Sequence, residues 1–164
     1  MRLRRACIED SRLLWEWVND PDVRAASFSS APIPWESHVA WFAGKLGQDR
    51  GLIFIAEDED ATPSGQIRFD ARPDGEWEVD ISVAKKERGK GLASELVRLG
   101  VRAIREEGRG VRIHALVKPA NNRSLKAFER AKFKPIGIEH VRGNTAIHLI
   151  YEEAEPTSSR NLAR

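Results

Sequence analysis

Apolar and polar positions change their period several times along the chain, and each change marks an expected element. Leu3 to Ala6 suits a first strand. Asp10 stands where an N-cap would open a helix carrying Leu13, Leu14, Trp17 and Val18 on one side, and Asn19-Asp20-Pro21 stops it. A second helix is expected from about Pro34, with His38, Trp41 and Phe42 spaced three and four apart. Leu52, Ile53, Phe54 and Ile55 follow one another within Gly51 to Glu57, which reads as a buried strand. Gln66 to Asp70 alternates Ile67 and Phe69 with polar neighbours, which reads as another.

Trp77 to Val83 alternates strictly: Trp77, Val79, Ile81 and Val83 on one face, Glu78, Asp80 and Ser82 on the other. From Gly89 to Glu107 the period becomes helical, with a stripe of Leu92, Leu96, Leu99 and Ala103, and Gly108 and Gly110 end it. Val111 to Val117 returns to strand, Ser124 to Ala131 is a short helix, and strands at Phe133 to Ile138 and Thr145 to Tyr151 close the chain. This order of strand, two helices, three strands, helix, strand, helix and two strands implies an α/β protein with a mixed sheet.

The chain has 164 residues, enough for one domain, and neither a repeat nor a linker divides it. A single domain is expected over 1–154. The polar segment 155–164 reads as a flexible C-terminal tail. Lys and Arg nearly balance Asp and Glu, leaving a net charge of +2, so composition points to neither nucleic acid nor a membrane surface as partner. Cys7 is the only cysteine, which rules out an internal disulfide. It is expected to be a small buried apolar residue, not a nucleophile. The basic start, Met1 to Arg5, is not followed by an apolar run because Glu9, Asp10 and Arg12 interrupt it. Nowhere do about 18 apolar residues run together, so a soluble, cytoplasmic monomer or homodimer is expected.

Chemistry concentrates at Val83-Ala84-Lys85-Lys86-Glu87-Arg88-Gly89-Lys90-Gly91-Leu92-Ala93, where a strand ends, a basic loop follows and a long helix begins. Exposed N–H groups at a helix start bind anions, and the helix dipole reinforces this. Glycines at 89 and 91 let a phosphate approach the main chain, and Lys85, Lys86, Arg88 and Lys90 supply local positive charge. The segment therefore reads as a diphosphate cradle. It lacks the glycine order of a P-loop or of a dinucleotide fold. Arg88-Gly89-Lys90-Gly91-Leu92-Ala93 does match the acetyl-CoA signature Arg/Gln-x-x-Gly-x-Gly/Ala. A second motif follows in Asn121-Asn122-Arg123-Ser124, then Ala127-Phe128 and Lys132-Phe133.

Both motifs, in this order, resemble those of the GNAT N-acetyltransferases, and the resemblance spans residues 3 to 151. It implies the GNAT fold, a mostly antiparallel sheet whose two central strands splay apart, with about four flanking helices. It also implies acetyl-CoA as acyl donor and no metal. The pantetheine arm would lie in the split against main-chain groups near Ile81 and Val83, like an added strand. Asn121 would bond that arm, with Ser124 and Phe128 on the helix beside the thiol. Two positions depart from the family pattern. Lys132 replaces a glycine, and Phe128 replaces the tyrosine that many members use to protonate the departing thiolate.

The resemblance further implies direct attack of an amine on the thioester, with main-chain N–H groups around Val83 facing the developing charge. Glu76, Glu78 and Asp80 share one strand face. Glu78 is the first candidate for proton acceptor and Asp80 the second. Tyr151, His114 and His148 are read as strand residues, the histidines without metal-ligand company. The first third of the chain builds the acceptor pocket in this family. Here Trp17, Asn19, Asp20, Pro21 and Arg24, then His38 and Trp41, resemble the acetyltransferases of pseudaminic-acid and related nonulosonate pathways. That implies a small-molecule acceptor, the 4-amino group of a UDP-linked deoxy sugar. Trp17, Trp41 and His38 would line its pocket, and Arg24 would meet a phosphate. Two alternatives stay open: a protein N-terminal acetyltransferase of the ribosomal-protein type, and a non-catalytic acyl-CoA-binding domain.

Overall fold

The computed structural model describes residues 1–48, 51–108 and 112–153. Its first half runs β1 (Arg2–Arg5), α1 (Ser11–Val18), α2 (Pro21–Ala26), α3 (Trp35–Leu46), β2 (Gly51–Glu57) and β3 (Pro63–Ala71). Its second half runs β4 (Trp77–Val83), α4 (Leu92–Glu106), β5 (Arg112–Val117), α5 (Asn122–Arg130), β6 (Lys134–Val141) and β7 (Asn144–Glu152). The seven strands form one sheet in the order β1-β2-β3-β4-β5-β7-β6. Neighbours are antiparallel except β4 and β5, which run parallel.

That parallel pair controls the architecture. It is in register only at Trp77↔Ile113 and Glu78↔His114. Beyond Glu78, β4 stays paired with β3 as far as Val83, and β5 stays paired with β7 as far as Val117. The sheet therefore forks, with its root at Glu78 and His114 and its opening at Val83 and Val117. This is the splayed sheet that the GNAT resemblance implies.

Strand alternation sorts the side chains onto two faces. Ile67, Phe69, Trp77, Val79, Ile113, Ala115, Val117 and Leu149 enter the larger core, where they meet Leu96, Val97, Val101 and Ile104 of α4 and Phe128 of α5. Burying each large side chain of this kind contributes about 1.5–3 kcal/mol. Gly100 lets α4 lie close to β3: a Cβ there would come within 2.4 Å of Ile67 Cδ1 and 3.0 Å of Phe69. On the opposite face Ile53 and Ile55 pack with Leu14 of α1 and Phe42 of α3. The same face of β3, β4, β5 and β7 carries Gln66, Arg68, Asp70, Glu78, Asp80, His114 and His148.

Several expectations need correction. Asn19-Asp20-Pro21 ends α1 and also opens α2, a helix not foreseen. The Asp20 carboxylate caps the Asp22 N–H at 3.1 Å, and proline at the first helical position needs no donor. Asp10 occupies the N-cap position of α1, but its side chain makes no capping bond there. It ends a 3-10 turn, Ile8–Asp10, and its carboxylate accepts from the Cys7 N–H at 2.9 Å and from Arg4 at 2.7 and 2.8 Å. Cys7 is exposed, because it lies in the link from β1 into that turn. On α4 the buried face centres on Leu96, Val97, Gly100, Val101 and Ile104, while Leu92, Leu99 and Ala103 flank it. Gly108 stops this helix in the left-handed region at φ +68. Gly110, Val111 and the expected tail from 155 lie outside the described residues.

Candidate active site

Between the fork and α4 the chain makes a 3-10 turn, Lys85–Glu87, and then a glycine-bearing loop. Gly89 and Gly91 hold φ of +80 and +77, and a Cβ on either would meet nothing within 4 Å. The loop thus presents main-chain N–H groups to open space, directly ahead of the unpaired amides of the α4 first turn. Leu92 and Ala93 are half-buried at that start, and Lys85 and Lys86 are exposed. Neither lysine makes an ion pair among the described residues. Lys90 pairs with Glu87 at 2.9 Å.

Arg88 does something different from its neighbours. Its Nε donates to Val83 O at 3.0 Å, and its Nη1 lies 3.0 Å from Asp20 Oδ1 and 2.9 Å from Asp22 Oδ2. The side chain therefore ties α2 to the mouth of the fork. Burial alone would raise the Asp20 pKa, yet the Arg88 guanidinium holds it below the usual carboxylate range.

The fork presents main-chain partners as well. Ala84 N–H donates to Ser64 O of β3 at 2.9 Å. Alternation then turns the N–H and C=O groups of Ile81 and Val83 the other way, toward the split. Across the split, Asn121 caps α5: its Oδ1 accepts from Ser124 N–H at 3.2 Å, leaving Nδ2 with no partner among the described residues. Open glycines, unpaired lysines, a strand edge that turns toward the split and a free amide donor all suit acetyl-CoA.

α5 ends in a full Schellman motif around the two departures from the family pattern. Phe133 N–H donates to Phe128 O and Lys132 N–H to Glu129 O, each at 3.0 Å, and Lys132 takes φ +72. The glycine position is thus kept in conformation without being kept in residue type. Phe128 is buried, with its ring 5.0 Å from that of Phe133. Tyr151 pairs with Ile113 at the closed end of the fork, away from its opening.

The polar sheet face beneath α3 carries the expected proton acceptors. Glu78, at the root of the fork, receives Arg72 Nη1 at 3.3 Å. Asp80, one step further into the opening, accepts from Gln66 Nε2 at 3.0 Å. Trp41 is 39% exposed and lies over the Arg68 guanidinium, 5.2 Å from ring centroid to Cζ. The other expected pocket residues serve packing. His38 is buried between Trp35 and Phe42, bonds Ser11 O at 2.9 Å, and has its pKa lowered by that burial. Trp17 packs against the smaller core. Arg24 donates to Val18 O at 2.6 Å, to Ser29 O at 3.0 Å, to Ala31 O at 3.4 Å and to Ser27 Oγ at 3.1 Å, so its guanidinium closes the α2 loop instead of facing a phosphate.

One group of residues was not legible as a unit. His114 and His148 lie on β5 and β7 with Nδ1 and Nε2 2.7 Å apart; Glu76 bonds His114, and Glu139 bonds His148 at 2.7 Å. His114 therefore does have carboxylate company. Asp74, Glu76 and His114 offer atoms within 4.8 Å of one another. Those atoms are taken, Asp74 by the Glu76 N–H and Arg72, and Glu76 by His114 and Arg112.

A forked sheet with a glycine-rich helix start at its mouth and an amide donor across the gap defines an acyl-CoA-dependent transferase. The family model for the acetyltransferase (GNAT) domain matches residues 1–134, and the chain belongs to that family. It is an N-acetyltransferase with acetyl-CoA as acyl donor. Solved structures agree on the fold. AAC(6')-Ib, an aminoglycoside acetyltransferase solved with ribostamycin and coenzyme A, superposes with TM-score 0.83 at 20% identity, covering 99% of this chain and 98% of that one. Spermidine N-acetyltransferase from Vibrio cholerae, solved with CoA and spermine, gives TM-score 0.80 at 16% identity, covering 91% and 93%. An N-acetyltransferase from Staphylococcus aureus Mu50 gives TM-score 0.77 at 23% identity, covering 92% and 96%. No curated protein matches the sequence. Among the described residues no helix is long and apolar enough to cross a membrane.

Proposed function

We propose that the acceptor is the primary amine of an amino sugar, bound over the polar sheet face with its nitrogen at the root of the fork. The observation that carries this reading is the pairing of an exposed indole, Trp41, with a floor of hydrogen-bonding groups: Gln66, Arg68, Glu78 and Asp80. A sugar ring offers an apolar face to stack on the indole and hydroxyls to meet the floor. The nucleotide-linked form expected from the sequence loses its phosphate partner, because Arg24 is engaged within the α2 loop.

Acetyl-CoA supplies the activated acetyl group, and the chain supplies position, charge and proton transfer. The loop from Gly89 to Ala93, with Lys85 and Lys86, is the proposed diphosphate site. Ile81, Val83 and Asn121 hold the arm, with Ser124 and Phe128 on the helix beside it. The Val83 N–H faces the charge that develops on the acetyl oxygen, and it is fixed before reaction by the β3–β4 ladder. Glu78 accepts the proton from the acceptor, directly or through one water, with Asp80 next in line.

The test is a competition among UDP-4-amino-4,6-dideoxyhexose, kanamycin, spermine and a peptide with a free N-terminal serine, with acetylated products read by mass spectrometry. The two sugar amines are expected to dominate. The ratio between them reports whether a nucleotide is recognised. Preference for the peptide or spermine would overturn the sugar reading and leave the acetyltransferase assignment intact.

A further inference from the structure

Glu76, His114, His148 and Glu139 form one hydrogen-bonded row from the residue just ahead of β4 across β5, β7 and β6, on the acceptor face and starting beside the root of the fork. Both imidazoles are buried, whereas the Glu139 side chain is 42% exposed. Further charges face the row. Asp74 lies in the turn before β4, Arg112 Nη1 on β5 is 3.3 Å from Glu76 Oε1, and Glu78 is in register with His114.

The hydrogens in this row can be counted. It has three contacts: Glu76 to His114 Nε2, His114 Nδ1 to His148 Nε2, and His148 Nδ1 to Glu139. An ionised carboxylate only accepts, so both outer nitrogens must donate, and the inner contact needs one hydrogen more. Three N–H groups are required, and two neutral imidazoles bring two. With both rings neutral the row is one proton short, and it completes its hydrogen bonding by taking one up.

We propose that this row is the proton store behind Glu78, holding the proton that the acceptor ammonium must lose before its nitrogen attacks. The inference rests on the amine-acceptor reading above. The ammonium N–H bond breaks and its electron pair stays on nitrogen as the attacking pair. Glu78 receives the proton and passes it to the contact between Glu76 and His114, its cross-strand neighbour. There it bonds to the open Nε2 of His114 as the row's third N–H, and the row resets when His148 Nδ1–H passes its proton through Glu139 to water while the inner hydrogen shifts from His114 Nδ1 to His148 Nε2. One proton enters and one leaves, and nothing is oxidised or reduced. The two histidines touch no substrate and are positioning residues that act through Glu78.

Two experiments test this. In wild-type protein labelled with ¹⁵N-histidine, without added ligand, NMR should show the two rings changing together in one pH step, from two N–H groups to three. Rings that titrate separately, or that keep one N–H each at every pH, overturn the proposal. His148→Gln keeps a hydrogen-bonding group but cannot titrate. With the amine of the panel that turns over fastest, it should lower kcat by about tenfold or more near neutrality. KM for acetyl-CoA should be unchanged, and kcat should recover at alkaline pH, where the amine is already neutral. A folded His148→Gln protein whose kcat–pH profile matches wild type overturns the role. Failure of every amine in the panel would instead remove the acceptor reading, while the titration still decides the row's proton count.

Discussion

Arg88 Nη1 lies 3.0 Å from Asp20 Oδ1, so the loop ahead of α4 is joined to the N-cap of α2. Asp20 serves two partners at once, the Asp22 N–H and the Arg88 guanidinium. Asp20→Ala removes both the cap and the tie. It should lower unfolding stability by about 1–2 kcal/mol, the range for a lost N-cap. Urea denaturation measures this, and a midpoint equal to wild type would show that the tie carries no stability.

Gly91 stands at the entrance to the proposed diphosphate site with φ +77 and open space where a Cβ would go. Two substitutions separate its conformation from its accessibility. Gly91→Ala strains the left-handed backbone and costs about 1 kcal/mol of stability, while leaving acetyl-CoA affinity within a fewfold. Gly91→Asp adds a carboxylate against the diphosphate and should abolish measurable binding in a folded protein. Calorimetric titration with acetyl-CoA compares them. Equal affinities for the two variants would move the diphosphate elsewhere.

Much of this was legible because local sequence dictates it. Gly51–Glu57 and Trp77–Val83 declare themselves by a continuous apolar run and by strict alternation, and both strands have those bounds. The strand, basic glycine loop and helix at 83–93 were legible because they are consecutive in the chain. α2 was not, since Asp20 and Pro21 serve equally as a stop and a start. His114 and His148 are 34 positions apart on strands that the topology makes neighbours, and no local pattern announces that pairing. Arg24 and His38 show a different limit: guanidinium and imidazole groups suit a pocket or a packed loop equally well, and only their partners decide.

Lys132 occupies the Schellman position that glycine usually fills. It holds φ +72 at the position after the α5 C-cap, where an L side chain crowds the following carbonyl. Lys132→Gly relieves that crowding and gives back part of the gain as unfolded-state entropy. The net expectation is stabilisation of about 0.5–1 kcal/mol, read as a higher thermal midpoint with unchanged turnover. A lower midpoint would mean that the lysine side chain contributes more than its backbone costs.

Asp10 links stability to pH. The Arg4 guanidinium, bonded at 2.7 and 2.8 Å, holds the Asp10 carboxyl below its usual range, and Arg4 does the same for Glu57. A carboxyl depressed in the folded state stabilises the fold fully above its unfolded value, about 3.9 for Asp and 4.3 for Glu. That contribution is lost as pH falls from there through the lower folded values. Arg4→Met removes the guanidinium partner of Asp10 and one of the two that serve Glu57, the other being Arg2, so its stability deficit relative to wild type should be largest near neutrality and shrink in acid. A deficit independent of pH would assign Arg4 a packing role alone.

Glu78 is the last residue of β4 in register with β5, and its carboxylate therefore stands where the sheet begins to open. A group placed there lies on the proposed acceptor face at the base of the split. Glu76 is bonded to His114, and Asp80 lies further along the opening, held by Gln66. Glu78→Gln keeps an oxygen for the 3.3 Å contact from Arg72, so the fold should survive. Without a proton acceptor, turnover should fall by roughly 10²-fold near neutrality, with acetyl-CoA affinity unchanged. Raising the pH should restore part of the loss, because more of the acceptor amine then arrives already neutral. Asp80→Asn is the companion variant, expected to weaken acceptor binding more than turnover. If Glu78→Gln turns over at the wild-type rate while Asp80→Asn does not, the proton passes to Asp80. If both keep that rate, it passes straight to water.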